Sequence, residues 1–269
     1  LRCLFDAELV VRRAAAAAIR RLVEACCEWS VELSVSPGSN STTATAADPY
    51  VMLLKTSILP ILRRGLRCAN DEAKSTMLEL ITHVGKVFER SPRQLAPELA
   101  QDLHVDLSAL SSASGDTEQD FASNVFHIQI HRRTRALGRV RTMLEPHSAG
   151  SPCPLKQATL VHVLLPLCLS YLLSEQYAKT DYAPLLLETV SLLRALGSHL
   201  PWKHYYSTTR TLLKLAEKTD IGSSSSSKRS SGSNGQEAKE QWQQRSSSAS
   251  AREKLLFSAL CGLLDAFPT

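Results

Sequence analysis

Aromatic residues are scarce in this chain, at 6% of 269 residues, and it holds only 11 glycines and 12 prolines. Strands draw on aromatic and β-branched side chains, whereas Leu and Ala, which dominate here, favour helices. The longest apolar stretch, Leu160 to Leu173, spans about fourteen residues and is interrupted by His162 and Pro166. A membrane span needs about 20, so no spanning helix is expected. No secretory signal is visible, because the apolar part of the first helix follows charges and lacks a cleavage-like end. The seven cysteines (Cys3, Cys26, Cys27, Cys68, Cys153, Cys168 and Cys261) are odd in number and form no Cys-x-x-Cys. Most fall in Leu- and Ala-rich helical runs, which suits buried thiols in a reducing compartment. No Gly-rich phosphate loop and no Gly-x-Ser-x-Gly occurs, and no local signature selects a nucleophile. Catalysis, a cofactor and a small-molecule substrate are therefore not expected. His127 and His131 share a helix face but have no third ligand at useful spacing, so no metal site is expected either.

What is present is helix after helix. Residues 6–29 read as one helix capped by Asp6, with Leu9, Ala16, Ile19 and Val23 on one side. A Ser/Thr/Gly linker follows over 31–48. Tyr50–Ala69 and Glu72–Glu89 form a pair whose short turn at Asn70-Asp71 makes them antiparallel neighbours. Pro60 should kink the first of them, and Leu164-Leu165-Pro166-Leu167 later echoes Leu59-Pro60-Ile61-Leu62. These repeats make up residues 1–110, and a linker covers 111–120. A second helical block covers 121–219, containing helices near Phe121–Glu145, Leu155–Ser174 and Pro184–His199 and another starting at Pro201. The Ser-rich stretch at 220–250 cannot bury enough apolar surface to offset its ordering entropy and is expected to be disordered; residues 251–269 supply the helix of a further repeat. Helix pairs of this kind bury their faces only by stacking. The expected fold is all-α, a HEAT/armadillo-like α-solenoid of antiparallel helix pairs. The chain starts on Leu1 rather than Met and stops just after an apolar helical run, so it is read as part of a longer protein.

Residues 120–144 concentrate the positive charge. Wound as a helix, this segment puts Phe126, Ile130, Leu137, Val140 and Leu144 on one face and His131, Arg132, Arg135 and Arg139 on the opposite one. Arg133 and Arg141 fall nearer the apolar side, where they snorkel or pair. The basic stripe suits phosphate contact, and a plain solvated face is the alternative. Trp202 with Tyr205 and Tyr206 offers either base-stacking surfaces or the anchor of a helix start.

The string Asp6-Ala-Glu-Leu-Val-Val-Arg12-Arg-Ala-Ala resembles the second helix of a HEAT repeat, in which an internal Arg ties successive turns. Phe126-His-Ile-Gln-Ile-His-Arg-Arg-Thr-Arg-Ala-Leu137, entered through Asp120, Phe121 and Asn124, resembles a motif of the U-three small nucleolar RNA-associated family, also called "down-regulated in metastasis". Ala122 stands where that motif has a second aromatic, and Gly138 where it has a larger residue. Leu165-Pro166, His199-Leu200-Pro201-Trp202, Tyr205-Tyr206 and Leu264-Asp265-Ala266-Phe267 follow the family's order, while the stretch at 222–250 looks lineage-specific. The resemblance implies an internal portion of a very large HEAT-repeat scaffold of the small-subunit processome. By implication it acts in ribosome biogenesis and rRNA processing in the nucleolus of the nucleus. Its implied partners are pre-rRNA or small nucleolar RNA backbone and other processome proteins, with RNA binding through His131, Arg132, Arg135 and Arg139. The competing expectation is a protein–protein HEAT adaptor, of transport-receptor or phosphatase-scaffold type, without RNA contact.

Overall fold

The computed structural model describes all residues except 36–48, 92–96, 112–118, 146–152, 178–179, 226–252 and 267–269. Most of the expected linkers at 31–48 and 111–120, and the Ser-rich stretch from 226 on, lie outside the described residues. All regular structure among the described residues is helical, as expected for the all-α helical-repeat class. The chain divides into two compact units, Leu1–Ala136 with Pro146–Leu167, and Leu137–Glu145 with Cys168–Thr269.

In the first unit, α1 (Leu9–Val35) outlasts expectation: it continues to Val35, into the stretch read as linker. Helix α2 starts as Pro49–Leu53, passes through a wide π turn at Leu54–Ile58 and continues as Leu59–Gly65. Helix α3 (Asp71–Glu89) begins on Asn70, whose side chain accepts from the N–H groups of Glu72 and Ala73 and so satisfies two orphan donors. Its buried face is Met77, Leu80, Ile81, Val84 and Phe88.

The packing of α1 on α3 shows their direction. Arg12 pairs with Glu72, Arg20 with Glu79 at 3.0 Å, Glu24 with His83 at 3.5 Å, and Cys27 Sγ lies 3.9 Å from the Val87 carbonyl. The offset between partners stays at 59 or 60 residues across all four contacts. A constant offset means parallel helices in register. Because α2 is joined to α3 by the short Leu66–Asn70 turn, α1 and α3 are equivalent second helices of successive pairs.

Proline explains the π turn. Pro60 has no N–H, and its ring would strike the carbonyl four residues back. The chain widens by one residue, and Leu59 N–H donates to Leu54 O. The same device recurs in α7, where Gln157–Thr159 leads through a π turn at Leu160–Leu164 to Leu165–Leu173, and Leu165 N–H donates to Leu160 O ahead of Pro166.

Between these helices, α4 (Pro97–Asp102) and a 3-10 turn at Val105–Leu110 flank His104, which has φ 55° and is fully buried. The hydrogen bonds around it set its tautomer. Arg63 Nε donates to His104 Nε2 at 2.9 Å, so Nδ1 carries the proton and donates to Thr159 Oγ1 at 3.0 Å. Thr159 passes its own proton to Asp106 Oδ1 at 2.8 Å, and Asp106 Oδ2 accepts from Lys156 N–H at 2.7 Å. Thr159 therefore sits between the imidazole and the carboxylate, and His104 does not take its proton, unlike a base activating a hydroxyl. Burial first, then the charge of Arg63 and the proximity of His162, push His104 down to about 3. Burial also pushes Asp106 upward.

Helix α5 (Phe121–Asn124) is capped by Asp120, which accepts from Ser123 N–H, and α6 is Ile130–Leu144. In the second unit, α8 (Ala183–Gly197) packs closely on helix α10 (residues 253–265): a Cβ on Gly197 would lie 3.0 Å from Ala266 Cβ and 3.1 Å from Leu263. Helix α9 (Trp202–Ser225) runs into the stretch expected to be disordered. Tyr171, Tyr177 and Tyr182 stack edge to face at 5.1 and 5.2 Å.

The cysteines differ from the reading of mostly buried thiols. Cys26, Cys27 and Cys168 are buried, but Cys3 and Cys261 are exposed and Cys68 and Cys153 are half-buried, because helical runs have outer faces too. Burial pushes the Cys168 thiol up to about 12, which leaves it unreactive. No described helix is long and apolar enough to cross a membrane.

Two outcomes test this packing. A Cβ at Gly85 would lie 2.6 Å from the backbone oxygen of His104, which cannot swing away, whereas at Gly65 its nearest neighbours are side-chain atoms of Met77, the first being Cγ at 2.6 Å. Gly85→Ala is expected to lose about 1–3 kcal/mol in urea unfolding, and Gly65→Ala clearly less. The unfolded His104 titrates near 6.5 and the folded one near 3, so the unfolded chain binds more protons between those values. Stability from this residue is complete above about pH 6.5 and drains away as pH falls toward 3. Asp106 has the opposite slope. His104→Asn, which tolerates positive φ, should unfold more easily at neutral pH yet show a flatter acid limb; an unchanged acid limb would remove His104 as its source.

Candidate nucleic-acid interface

The segment expected as one helix from Phe121 to Glu145 is broken. Helix α5 ends at Asn124, and Val125–Gln129 forms a turn before α6 begins at Ile130. Phe126 therefore does not share a helix face with Leu137, Val140 and Leu144. It is buried in the turn, with Lys74 Nζ 5.9 Å above its ring. Ile130 is half-exposed rather than core. Ile128, at the apex of the turn, is 87% exposed.

Arg133 sits at this break. It is 8% exposed and donates to the carbonyls of His127 and, at 3.4 Å, Phe126, while its Nη1 lies 3.1 Å from Asp71 Oδ2. The guanidinium thereby satisfies carbonyls of the turn that leads into α6 and braces the break against the first turn of α3. Asp71 Oδ1 in turn accepts from buried Lys74 at 3.1 Å. Arg12 makes the same construction on the other side: it is 2% exposed, donates to the carbonyls of Asp6 at 2.7 Å and Ala7 at 2.9 Å, and pairs with Glu72. Both arginines are the fourth residue of their helix, and both reach the first turn of α3. The expected tie between turns through Arg12 is present, and Arg133 repeats it.

With Arg133 turned inward among Ala136, Leu137, Val140 and Leu144, the rest of the basic set occupies the other side of α6. His131 and Arg135 are exposed; Arg132 and Arg139 are half-buried. At about 100° per residue the four span a sector of roughly 100°. Arg141 lies apart, held by Glu188 at 2.7 Å and Glu145 at 2.6 Å, bonds that raise its pKa. Gly138 is where Glu188 passes, since a Cβ there would stand 3.3 Å from Glu188 Oε1, and α6 continues through it. No Asp or Glu occurs between Phe121 and Leu144. His127 is pushed below its ordinary value, by desolvation first and then by the charges of Arg132, His131 and Arg133. The turn and the first half of α6 therefore carry basic side chains and no carboxylate of their own.

Tyr205, in contrast, is buried, and its hydroxyl donates to Leu263 O at 3.0 Å, so it anchors the start of α9. Trp202 stacks on it at 5.8 Å and remains exposed. Among the described residues, no three His, Cys, Asp or Glu side chains gather as a metal site.

Neighbouring arginines of α6 should behave differently. Arg133→Ala is expected to cost about 2–3 kcal/mol, since Asp71 keeps Lys74 but two turned carbonyls lose their donor. Arg135→Ala should stay within about 0.5 kcal/mol. Urea midpoints of the two variants check the contrast.

No protein-family model matches the chain. The chain is 27% identical over 169 residues to U3 small nucleolar RNA-associated protein 20 of Saccharomyces cerevisiae, a match that covers 63% of this chain and 6% of that protein. This distant relation accompanies an all-α helical architecture.

Proposed function

We propose that this chain is part of a non-catalytic scaffold in the small-subunit processome, supporting pre-rRNA processing and small-subunit assembly in the nucleolus. It meets the phosphate backbone of pre-rRNA or small nucleolar RNA through the outer side of α6. The observation that carries the reading is the separation of arginines on that helix: Arg133 is consumed by the protein interior, while His131 and Arg135 are exposed beside Arg132 and Arg139 on the opposite side. A run of 24 residues without a carboxylate supports it, because nothing within the segment itself neutralises the stripe. The relative's name supports the RNA class, since that protein is U3 small nucleolar RNA-associated. Contacts of this kind position RNA without reading its sequence.

The test is the full chain titrated with labelled single-stranded and duplex RNA of mixed sequence at several salt concentrations. The triple change Arg132→Glu, Arg135→Glu, Arg139→Glu should lower the log–log salt slope by about 2 on single strands, with a similar loss on duplex. Circular dichroism should remain unchanged, because Arg133 is left in place. Affinity and slope unaffected by the triple change would leave the adaptor without RNA contact as the better description.

A further inference from the structure

Helix α9 carries a second outward surface of different chemistry. Trp202 is 63% exposed and Tyr206 55%, and their ring centroids lie 6.0 Å apart. Lys203, Arg210 and Lys214 are also exposed on this helix. Winding the helix at about 100° and 1.5 Å per residue sorts these residues into two rails. Trp202, Tyr206 and exposed Leu213 fall within about 40° of one another, and Lys203, Arg210 and Lys214 fall within about 40° of one another on the adjoining strip. The cations stand about 10 Å and then about 6 Å apart along the axis. Glu217, one turn beyond, is the acid that ends the surface. Trp202 lies nearly parallel to buried Tyr205, at 18°, and Tyr205 is tied to Leu263 O, so the exposed indole rests on a fixed base.

We infer that this face of α9 is a platform for single-stranded RNA, with bases stacking on Trp202 and Tyr206 and the backbone following Lys203, Arg210 and Lys214. Flat rings beside a line of cations match a strand whose bases are unpaired; a duplex hides its base faces, and an acidic peptide has no flat group to place on an indole. The inference takes its nucleic-acid class from the reading above and adds a contact that α6 does not make. There, the stripe is all charge and should hold paired and unpaired RNA alike.

The experiment uses the full chain with Trp29→Phe and Trp242→Phe, which leaves Trp202 as the one tryptophan. An unlabelled mixed-sequence RNA dodecamer should quench its emission, while a blunt RNA duplex of that length, heparin and poly-glutamate should not. In parallel, on the otherwise unchanged chain, Tyr206→Ala and Trp202→Ala should each weaken single-strand binding at least about five-fold, with duplex binding within about two-fold. Lys203→Ala, Arg210→Ala, Lys214→Ala together should lower the single-strand salt slope by about 2. Tyr206→Ala removes an exposed ring and keeps the test decisive even where the Trp202 variant folds poorly. Equal quenching by duplex, heparin or poly-glutamate, or single-strand binding indifferent to Tyr206→Ala, overturns the platform. The glutamate changes on α6 separate the two ideas. If they do nothing while the dodecamer still quenches Trp202, only the α6 contact falls. If they weaken binding while Trp202 stays unquenched, only the α9 platform falls.

Discussion

The first turn of α3 is where the first unit is held together. Two guanidinium groups and one ammonium, from Arg12, Arg133 and Lys74, converge on the carboxylates of Asp71 and Glu72. The acids sit at a helix N-terminus, where the peptide dipoles favour negative charge. The arginines arrive from helices on either side, and each also donates to two carbonyls of the turn that leads into its own helix. A buried charge is tolerated only when partnered in this way. The cluster thereby dictates three things at once: the parallel register of α1 and α3, the entry of the chain into α1, and the entry into α6.

The third of these bears on function. Arg133 turns inward and holds the carbonyls of residues 126 and 127 at the bend before α6, where Ile128 is exposed. The outer sector of α6 is then whatever remains of the basic set. A structural arginine and a surface arginine alternate within two residues, and only their partners tell them apart. On α9 the division is the same in kind: Tyr205 is used inward and Tyr206 outward, one residue apart.

Periodicity and punctuation made much of this readable beforehand. The α2–α3 pair, its Asn70 turn and the two proline-bearing helices stand close to where the residue pattern puts them, since those features are local. The turn at Val125–Gln129 is not readable from spacing, because the carboxylate that its bracing arginine meets lies 62 residues away at Asp71. On spacing alone Phe126 and Ile130 belong with Leu137, and a 3.6-residue count has no means of knowing that two carbonyls are claimed elsewhere. His104 was missed for a similar reason. A lone histidine between Leu103 and Val105 gives no sign of positive φ or of a hydrogen-bond chain through Thr159 to Asp106. The one available hint was Gly85 in mid-helix, a residue that marks close approach of a neighbouring backbone.

The widened turns ahead of the prolines have a consequence for counting. Up to the end of the widened turn the buried apolar side chains are Val51, Leu54 and Ile58; beyond it they are Leu59, Leu62 and Leu66. On an ideal helix the second triplet sits about 80° around the axis from the first, close to the roughly 100° that a single surplus residue introduces. The hydrophobic stripe thus suffers a phase slip ahead of Pro60, and both halves still face the core. An alignment or a redesign that carries one unbroken heptad register through Leu54–Ile58 will assign inside and outside wrongly on one flank, however well it fits the other.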